Sequence, residues 1–118
     1  MNIPKGKLIA IGGAINTGDE ENLTNPEREE SKVMEAGILS RMLSEIDKPN
    51  PLIEVITTAS EIPEEVGQHY LEAFERLRHN NVGLIHIKTR GDALSPAYSK
   101  RVEKADAFLF TGGNQLRL

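Results

Sequence analysis

The end of the chain carries the pattern best suited to chemistry. A short apolar run leads into the stretch 111–113, Thr-Gly-Gly, which is followed by the polar pair Asn114 and Gln115. Where a strand gives way to a helix in an α/β protein, backbone N–H groups bind anions or carbonyl oxygens. Two adjacent glycines leave these N–H groups unobstructed, as an oxyanion hole requires. The pattern therefore predicts backbone hydrogen-bond donors at Gly112 and Gly113, in a site that stabilises negative charge.

Three weaker candidates come earlier in the chain. Arg90, two residues before Asp92, can bind a carboxylate of a substrate, although a role in stabilising the local turn explains it equally well. The glycines within 12–18 do not have the spacing of dinucleotide-binding or phosphate-binding loops. Ser60 lacks the Gly-x-Ser-x-Gly context of a nucleophile, so we interpret it as a cap or as a hydroxyl that lines the site.

The histidine and cysteine contents argue against a metal or a cofactor. His69 and His79 are ten residues apart and His86 lies in a predicted strand, so no pair has the spacing that zinc sites use. We interpret His86 as a strand residue that is partly exposed or hydrogen bonded. The chain has no cysteine, so a hydrolase built on it needs a hydroxyl or water nucleophile. We expect no metal and no cofactor.

The elements that position these residues alternate along the chain. Four short apolar runs predict strands, and three patterns of 3.6-residue period predict helices. The strands lie near residues 7–12, 52–57, 84–88 and 107–111, and the helices lie near 27–46, 63–79 and 96–104. This alternation predicts an α/β fold in which four strands form a parallel sheet with helices on both faces. The strand orders 2-1-3-4 (flavodoxin-like) and 3-2-1-4 (Rossmann-like) both stay open, and in either one the site lies at the carboxyl edge of the sheet.

The apolar spacing also predicts which side of each helix is buried. The predicted inward residues are Met34, Ile38, Met42 and Ile46 in the first helix, with Val33, Leu39 and Leu43 widening its stripe, Val66, Tyr70, Phe74 and Leu77 in the second, and Tyr98 and Val102 in the third.

Length and charge limit the kinds of protein and partner. The chain has 118 residues and a formal net charge of −4, which suits one domain and is the wrong sign for binding nucleic acid through its phosphates. No apolar run approaches the roughly 18 residues of a membrane span, and the first residues do not resemble a signal peptide. We therefore predict a cytoplasmic protein with neither a nucleic-acid nor a membrane partner.

Three stretches together resemble a known family. They are 7–13 with its closing Gly-Gly, 56–60 (Ile-Thr-Thr-Ala-Ser) with Pro63, and 110–118 (Phe-Thr-Gly-Gly-Asn-Gln-Leu-Arg-Leu). They resemble the N-terminal half of cyanophycinases, which belong to the serine peptidase family that also includes aspartyl dipeptidase. The resemblance spans the whole chain. It is most specific in the last stretch, where aspartyl dipeptidases typically have Gly-Gly-Asn-Thr.

The resemblance implies a fold, a reaction and roles for particular residues. The fold is class I glutamine amidotransferase-like, and residues 1–118 are expected to be the N-terminal half of one α/β domain. The reaction is hydrolysis of β-aspartyl peptide bonds, which releases β-Asp-Arg from a cyanophycin-like polymer. Gly113 matches the glycine whose N–H joins the oxyanion hole, and Gln115 matches a glutamine that contacts substrate. Asn114 stands where aspartate is more usual, and we add Arg90 to the substrate-binding residues.

The resemblance also implies that the four-stranded sheet is truncated. The nucleophilic serine of the family lies in a Gly-x-Ser-Ala-Gly elbow, which the chain does not contain. We therefore expect the 118-residue chain to be inactive alone, although the full-length protein is a serine-type hydrolase. An unpaired sheet edge leads us to expect self-association as a homodimer. The alternatives are a non-catalytic flavodoxin-like module that binds a small anion at the same edge, and half of a dinucleotide-binding enzyme.

Overall fold

A computed structural model of the chain describes residues 5–11 and 25–118. The chain divides into two compact units, Met1–Asp47 and Lys48–Leu118. The helices are α1 (Asn25–Ser44), α2 (Pro63–Arg76), α3 (Arg90–Ala93) and α4 (Pro96–Lys104). The strands are β1 (Ile53–Ile56), β2 (Val82–Ile85) and β3 (Ala107–Phe110). A 3₁₀ turn covers Gln115–Arg117.

The second unit contains a three-stranded parallel sheet in the order β2-β1-β3. Ile56 at the end of β1 is in register with Ile85 of β2 and with Phe110 of β3. The predicted α/β fold with a parallel sheet is therefore confirmed. Counted among the described strands, this order is that of the first three strands of a flavodoxin-like sheet.

The first predicted strand is not a strand where the structure describes it. Residues 7–11 join no ladder, and the side chain of Leu8 is 98% exposed; residue 12 lies outside the described residues. An apolar run becomes a strand only when its backbone pairs with a neighbour, and sequence pattern alone does not specify that pairing. Among the described residues the sheet thus has three strands and not four. β1, which is the second of the predicted strands, lies between β2 and β3. Both predicted orders instead place it beside the predicted strand at 7–12.

Helices α2 and α4 lie on opposite faces of the sheet, as predicted. Gly67 of α2 packs against Leu84, which is in register with Val55 and so points to the same side. Arg101 of α4 binds Glu54, which points to the other side because side chains alternate along a strand.

The core of the second unit forms between α2 and β1. Val66, Tyr70 and Phe74 are buried along one side of α2, as predicted, and Ile53 and Val55 are fully buried in β1. Helix α2 begins with a proline, followed by two glutamates in its first turn, where the helix dipole favours carboxylates. Sequence and structure therefore agree best in this part of the chain.

The buried side of α1 agrees with the prediction only in part. Leu39 and Met42 are buried, as predicted, whereas Met34 is 65% exposed, Val33 is 71% exposed and Glu35 is buried instead. Residues three and four positions apart share a helix side, so Glu35, Leu39 and Met42 form one stripe that is rotated from the centre of the predicted one. The apolar pattern of α1 continues around the helix, and for that reason it did not fix which side is covered.

An ion pair joins α4 to the sheet. Glu54 is only 2% exposed, and its carboxylate accepts hydrogen bonds from Arg101 Nε at 3.2 Å and from Arg101 Nη2 at 2.7 Å. Because α4 meets the sheet through this polar contact, Val102 stays exposed and its predicted inward position is wrong. Tyr98 is partly buried, and its ring lies 5.8 Å from the guanidinium carbon of Arg101.

Candidate functional site

Three polar residues form a row at the carboxyl edge of the sheet. His86, Thr57 and Thr111 each follow the last residue of a strand, and those last residues are in register. The hydroxyl Oγ1 of buried Thr57 forms a hydrogen bond with His86 Nδ1. Thr111 is 7% exposed, and its Oγ1 has no hydrogen-bond partner within the described part of the chain. The row places one imidazole and two hydroxyls where ligands of parallel sheets bind.

The loop after β3 docks onto the loop after β1. The backbone N–H of Asn114 donates to Ala59 O at 2.9 Å. Gly113 has a φ of 146°, and a Cβ built on it would overlap the carbonyl of Ala59. A Cβ on Gly112, in contrast, would meet open space. Glycine is therefore required at position 113. The contact with Ala59 holds the backbone of the loop, and so its N–H groups, in one orientation.

The two polar residues after Gly113 stabilise or begin a turn. Asn114 Oδ1 accepts a hydrogen bond from Leu116 N at 2.9 Å, and Asn114 O accepts one from Arg117 N at 3.0 Å. Gln115 is the first residue of the 3₁₀ turn. The roles predicted for both residues in binding substrate stay predictions.

The larger of two neighbouring clefts, called the first cleft here, has a volume of about 360 Å³. It lies between the loops after β1 and β2 and the start of α2, and its charged or titratable lining residues are Glu61, Glu64, His86, Lys88 and Arg117. Ser60 also lines it, as one of the two interpretations held. Its hydroxyl accepts a hydrogen bond from Ile62 N at 3.1 Å in the turn before α2, but it does not cap the helix, because the N-cap residue is Ile62.

The charges of the first cleft are arranged as two ion pairs. Lys88 Nζ donates to Glu64 Oε1 at 2.5 Å, a hydrogen bond that lowers the pKa of Glu64 and raises the pKa of Lys88. Arg117 Nη2 lies 3.6 Å from Glu61 Oε1. The cleft therefore offers carboxylates and cations together, with no large excess of either.

The second cleft, of about 270 Å³, is cationic. Lys88, Arg90 and Arg117 all contribute to its lining. Arg90 makes no ion pair with any residue in 5–11 or 25–118, and its guanidinium is free to bind an anion. The turn around Arg90 is stabilised instead by Asp92, which accepts hydrogen bonds from the N–H groups of Lys88 and Thr89.

The structure brings some of the predicted site residues together and separates others. Arg90 shares the second cleft with Arg117, whereas Gly113 and Asn114 line neither of the two clefts. Sequence reasoning missed Glu61 and Glu64, because carboxylates before and within the first turn of a helix are usually solvated. Their proximity to Lys88 depends on the packing of α2 against β2, and no local pattern encodes it.

Within the described residues, no group of three or more acidic, histidine or cysteine side chains is arranged to hold a metal ion. No helix in this part of the chain is long and apolar enough to span a membrane.

Comparison with known proteins gives one consistent result. Over 114 residues, or 97% of its length, the chain is 30% identical to a cyanophycinase from Geminocystis herdmanii and covers 36% of that protein. It is 28% identical to a cyanophycinase from Synechococcus elongatus and 29% identical to one from a Nostoc species, covering 31% and 33% of them. No family model matches the chain, and no solved structure matches it significantly. The chain spans about a third of the length of the curated relatives it matches, and over nearly all of its own length it is cyanophycinase-like, as its motifs predicted.

Proposed function

We propose that this chain is the N-terminal portion of a cyanophycinase-like serine peptidase, which hydrolyses β-aspartyl peptide bonds and releases β-Asp-Arg. Residues 1–118 form the first half of one α/β domain in this proposal. They supply an oxyanion-stabilising N–H and substrate-binding side chains. The observation that carries the proposal is that similarity to cyanophycinases extends over 97% of the chain.

The charges at the sheet edge suit such a substrate. A β-Asp-Arg unit carries a guanidinium on one side chain and carboxylates elsewhere. Glu61 and Glu64 in the first cleft are partners for the guanidinium, and Arg90 in the second cleft is a partner for a carboxylate. Complementary charges of this kind fix the orientation of a ligand more than they raise its affinity.

Gly113 supplies the oxyanion-stabilising donor in this proposal. A backbone donor is effective when it is held in place before the reaction begins. The contact of Gly113 with Ala59 and the hydrogen bond from Asn114 N to Ala59 O fix the loop in this way. Gln115 and Asn114, which follow in the chain, contact the substrate beside it.

The nucleophile and its base come from other parts of a cyanophycinase-length protein. Acyl transfer without a thiol needs a hydroxyl that is activated by a base within hydrogen-bond reach. Thr57 has such a contact with His86, but it is fully buried and cannot reach a peptide bond. We therefore expect the purified chain to release no β-Asp-Arg from cyanophycin.

Calorimetric titration of the chain with β-Asp-Arg tests substrate binding without requiring turnover. We expect saturable binding that Arg90→Gln weakens about tenfold, since a charge-assisted hydrogen bond is lost. Lys100→Gln is the matched control because Lys100 is an exposed cation of α4 outside both clefts. No binding, or equal effects of the two substitutions, contradicts the proposed substrate site.

A small-anion binding module is the second candidate, and the cationic second cleft favours it. Arg90 lies there beside Lys88 and Arg117 without a carboxylate partner of its own among the described residues. Inorganic phosphate distinguishes the two functions in the same titration. Phosphate binding tighter than β-Asp-Arg binding supports the module, and the reverse order supports the peptidase.

Self-association is part of the proposal. In the described sheet, β3 is an edge strand, and the side chain of Phe110 on it is exposed. Unpaired strand edges recruit other chains. We expect the isolated chain to form a homodimer, which light scattering after size-exclusion chromatography measures directly.

A further inference from the structure

The imidazole of His86 is held on two sides. Its Nδ1 forms a hydrogen bond with the hydroxyl of Thr57. Its Cε1 lies close to Gly67 of α2. A Cβ atom added to Gly67 would be only 3.2 Å from this carbon. A hydrogen bond at one ring nitrogen of a histidine fixes the ring orientation and influences which nitrogen carries the proton. His86 is therefore preorganised by the chain itself and does not need a ligand to hold its orientation.

The other ring nitrogen is left for a ligand. Nε2 of His86 makes no hydrogen bond to any residue that the structure describes, and the side chain lines the first cleft. In contrast, His79 uses its Nε2 to contact Pro51 O at 2.9 Å. Thr57 is fully buried, so it acts on the imidazole and not on a ligand.

The surrounding charges indicate which ligands this nitrogen binds. The charged groups that face the first cleft are Glu64 of α2, Glu61 just before α2, Lys88 beyond β2, and Arg117 of the 3₁₀ turn. They form two ion pairs, Lys88 with Glu64 and Arg117 with Glu61. Because these four charges are paired with one another, Nε2 of His86 stays available to hydrogen bond with a carboxylate oxygen of a ligand.

We propose that His86 is a carboxylate-binding residue of the first cleft, and that Thr57 positions it for that role. A protonated imidazole donates a charge-assisted hydrogen bond from Nε2 to a carboxylate oxygen. The identity of the ligand, a carboxylate of a β-aspartyl peptide, rests on the proposed function. The class of ligand rests on the geometry of His86 and on the charged groups around it.

Nuclear magnetic resonance of the 118-residue chain with ¹⁵N-labelled histidine tests this directly. The probes are β-Asp-Arg and succinate, a dicarboxylate that lacks a guanidinium. We expect both probes to shift the Nε2 resonance of His86 and to leave the resonances of His69 and His79 unchanged. The two other histidines are internal controls within the same sample.

Two pairs of substitutions separate binding from structure. His86→Asn keeps an amide near the Nδ1 position and so retains the contact with Thr57, whereas His86→Gln reaches the Nε2 position. We expect His86→Asn to weaken succinate binding about tenfold at pH 6, and His86→Gln to weaken it less. Thr57→Val should also weaken binding at pH 6, and Thr57→Ser, which keeps the hydroxyl, should restore it.

Succinate affinity measured on folded variants is a readout that a purely structural histidine would not change. In folded His86→Asn the affinity should fall, because the variant has no donor at the Nε2 position.

The outcomes distinguish this inference from the proposed function. If β-Asp-Arg binds but neither probe shifts His86 Nε2, the carboxylate role of His86 is wrong and the peptidase proposal stands. If succinate shifts His86 Nε2 and β-Asp-Arg does not bind, the role of His86 stands and the substrate assignment is wrong. Equal succinate affinities for the unmodified chain and folded His86→Asn would also overturn the inference.

Discussion

Gly113 lies directly against the backbone carbonyl of Ala59, the same carbonyl that accepts the N–H of Asn114 at 2.9 Å. With a φ of 146°, Gly113 occupies a backbone region that only glycine adopts without strain. This contact connects the loop after β3 with the loop after β1. It explains why the second glycine of Thr-Gly-Gly is needed for structure, whatever its N–H binds.

The two adjacent glycines should therefore respond differently to substitution. We expect Gly113→Ala to lower the free energy of unfolding by about 2 kcal/mol, since it adds backbone strain and a clash with Ala59. Gly112→Ala should change it by less than about 0.5 kcal/mol, because its Cβ meets open space. Urea denaturation followed by circular dichroism measures both, and equal losses would contradict the docking of the loop.

The two threonines of the polar row should also differ. Thr111→Val removes a buried hydroxyl without a hydrogen-bond partner among the described residues, and should raise the free energy of unfolding by about 1 kcal/mol. Thr57→Val breaks the hydrogen bond with His86 and should lower it by about 1 kcal/mol. Both replacements conserve side-chain shape, so the pair isolates the hydroxyl. A destabilised Thr111→Val would indicate that this hydroxyl has a partner after all.

Breaking the ion pair between Glu54 and Arg101 should be costly. Arg101→Met leaves a buried carboxylate without its cation, and should lower the free energy of unfolding by about 3 kcal/mol. The double substitution Glu54→Leu with Arg101→Met removes both charges and should recover most of this loss. Thermal or urea unfolding of the single and double variants gives the coupling energy. Additive effects would mean that the two side chains do not interact.

Asp106 should make the second unit sensitive to acid. The hydrogen bond from Lys48 Nζ, at 2.7 Å, and that from Leu52 N, at 2.8 Å, lower the pKa of its carboxyl from the ordinary value of 3.8. A group whose pKa is lowered by folding stabilises the fold above its unfolded pKa, and this contribution is lost as the pH falls through the folded pKa. Stability should therefore decline below about pH 4.

Asp106→Asn should remove this part of the acid dependence. The slope of unfolding free energy against pH below about pH 4 should become shallower in the variant. Glu103→Gln is the control, because Glu103 is an exposed carboxylate of α4 that makes no ion pair with the described residues. If both variants keep the slope of the unmodified chain, Asp106 does not carry the effect.

The sequence predicted the elements whose evidence is local. β1 lies inside the predicted range 52–57 because a run that is apolar except for Glu54 is bounded by turn residues. The start of α2 at Pro63 follows from the preference of proline for the first helical turn. Arg90 was singled out because a cation at a strand end is a local feature. The structure places it in the lining of the second cleft, and its role in binding stays a prediction.

What the sequence did not predict depends on contacts between distant residues. Whether 7–11 forms a strand depends on a pairing partner, and the side of α1 that is buried depends on what covers it. The first cleft brings His86 together with Glu64 only because α2 packs against the face of the sheet that carries Leu84. The contact with Thr57 confirms that His86 is hydrogen bonded, but His86 follows β2, which ends at Ile85, and does not lie in the strand as predicted. Its position in the cleft depends on the fold.

A chimera gives the most direct test of the account. The chain replaces the matching 114-residue stretch of the Geminocystis herdmanii cyanophycinase, and release of β-Asp-Arg from cyanophycin is measured for the chimera and for the 118-residue chain alone. The account predicts turnover by the chimera and none by the chain alone. It also predicts that Gly113→Ala lowers kcat of the chimera by on the order of 10²-fold, while Gly112→Ala leaves kcat within about twofold. A folded chimera without activity, or turnover by the chain alone, would contradict the claim that this chain supplies one part of a composite peptidase site.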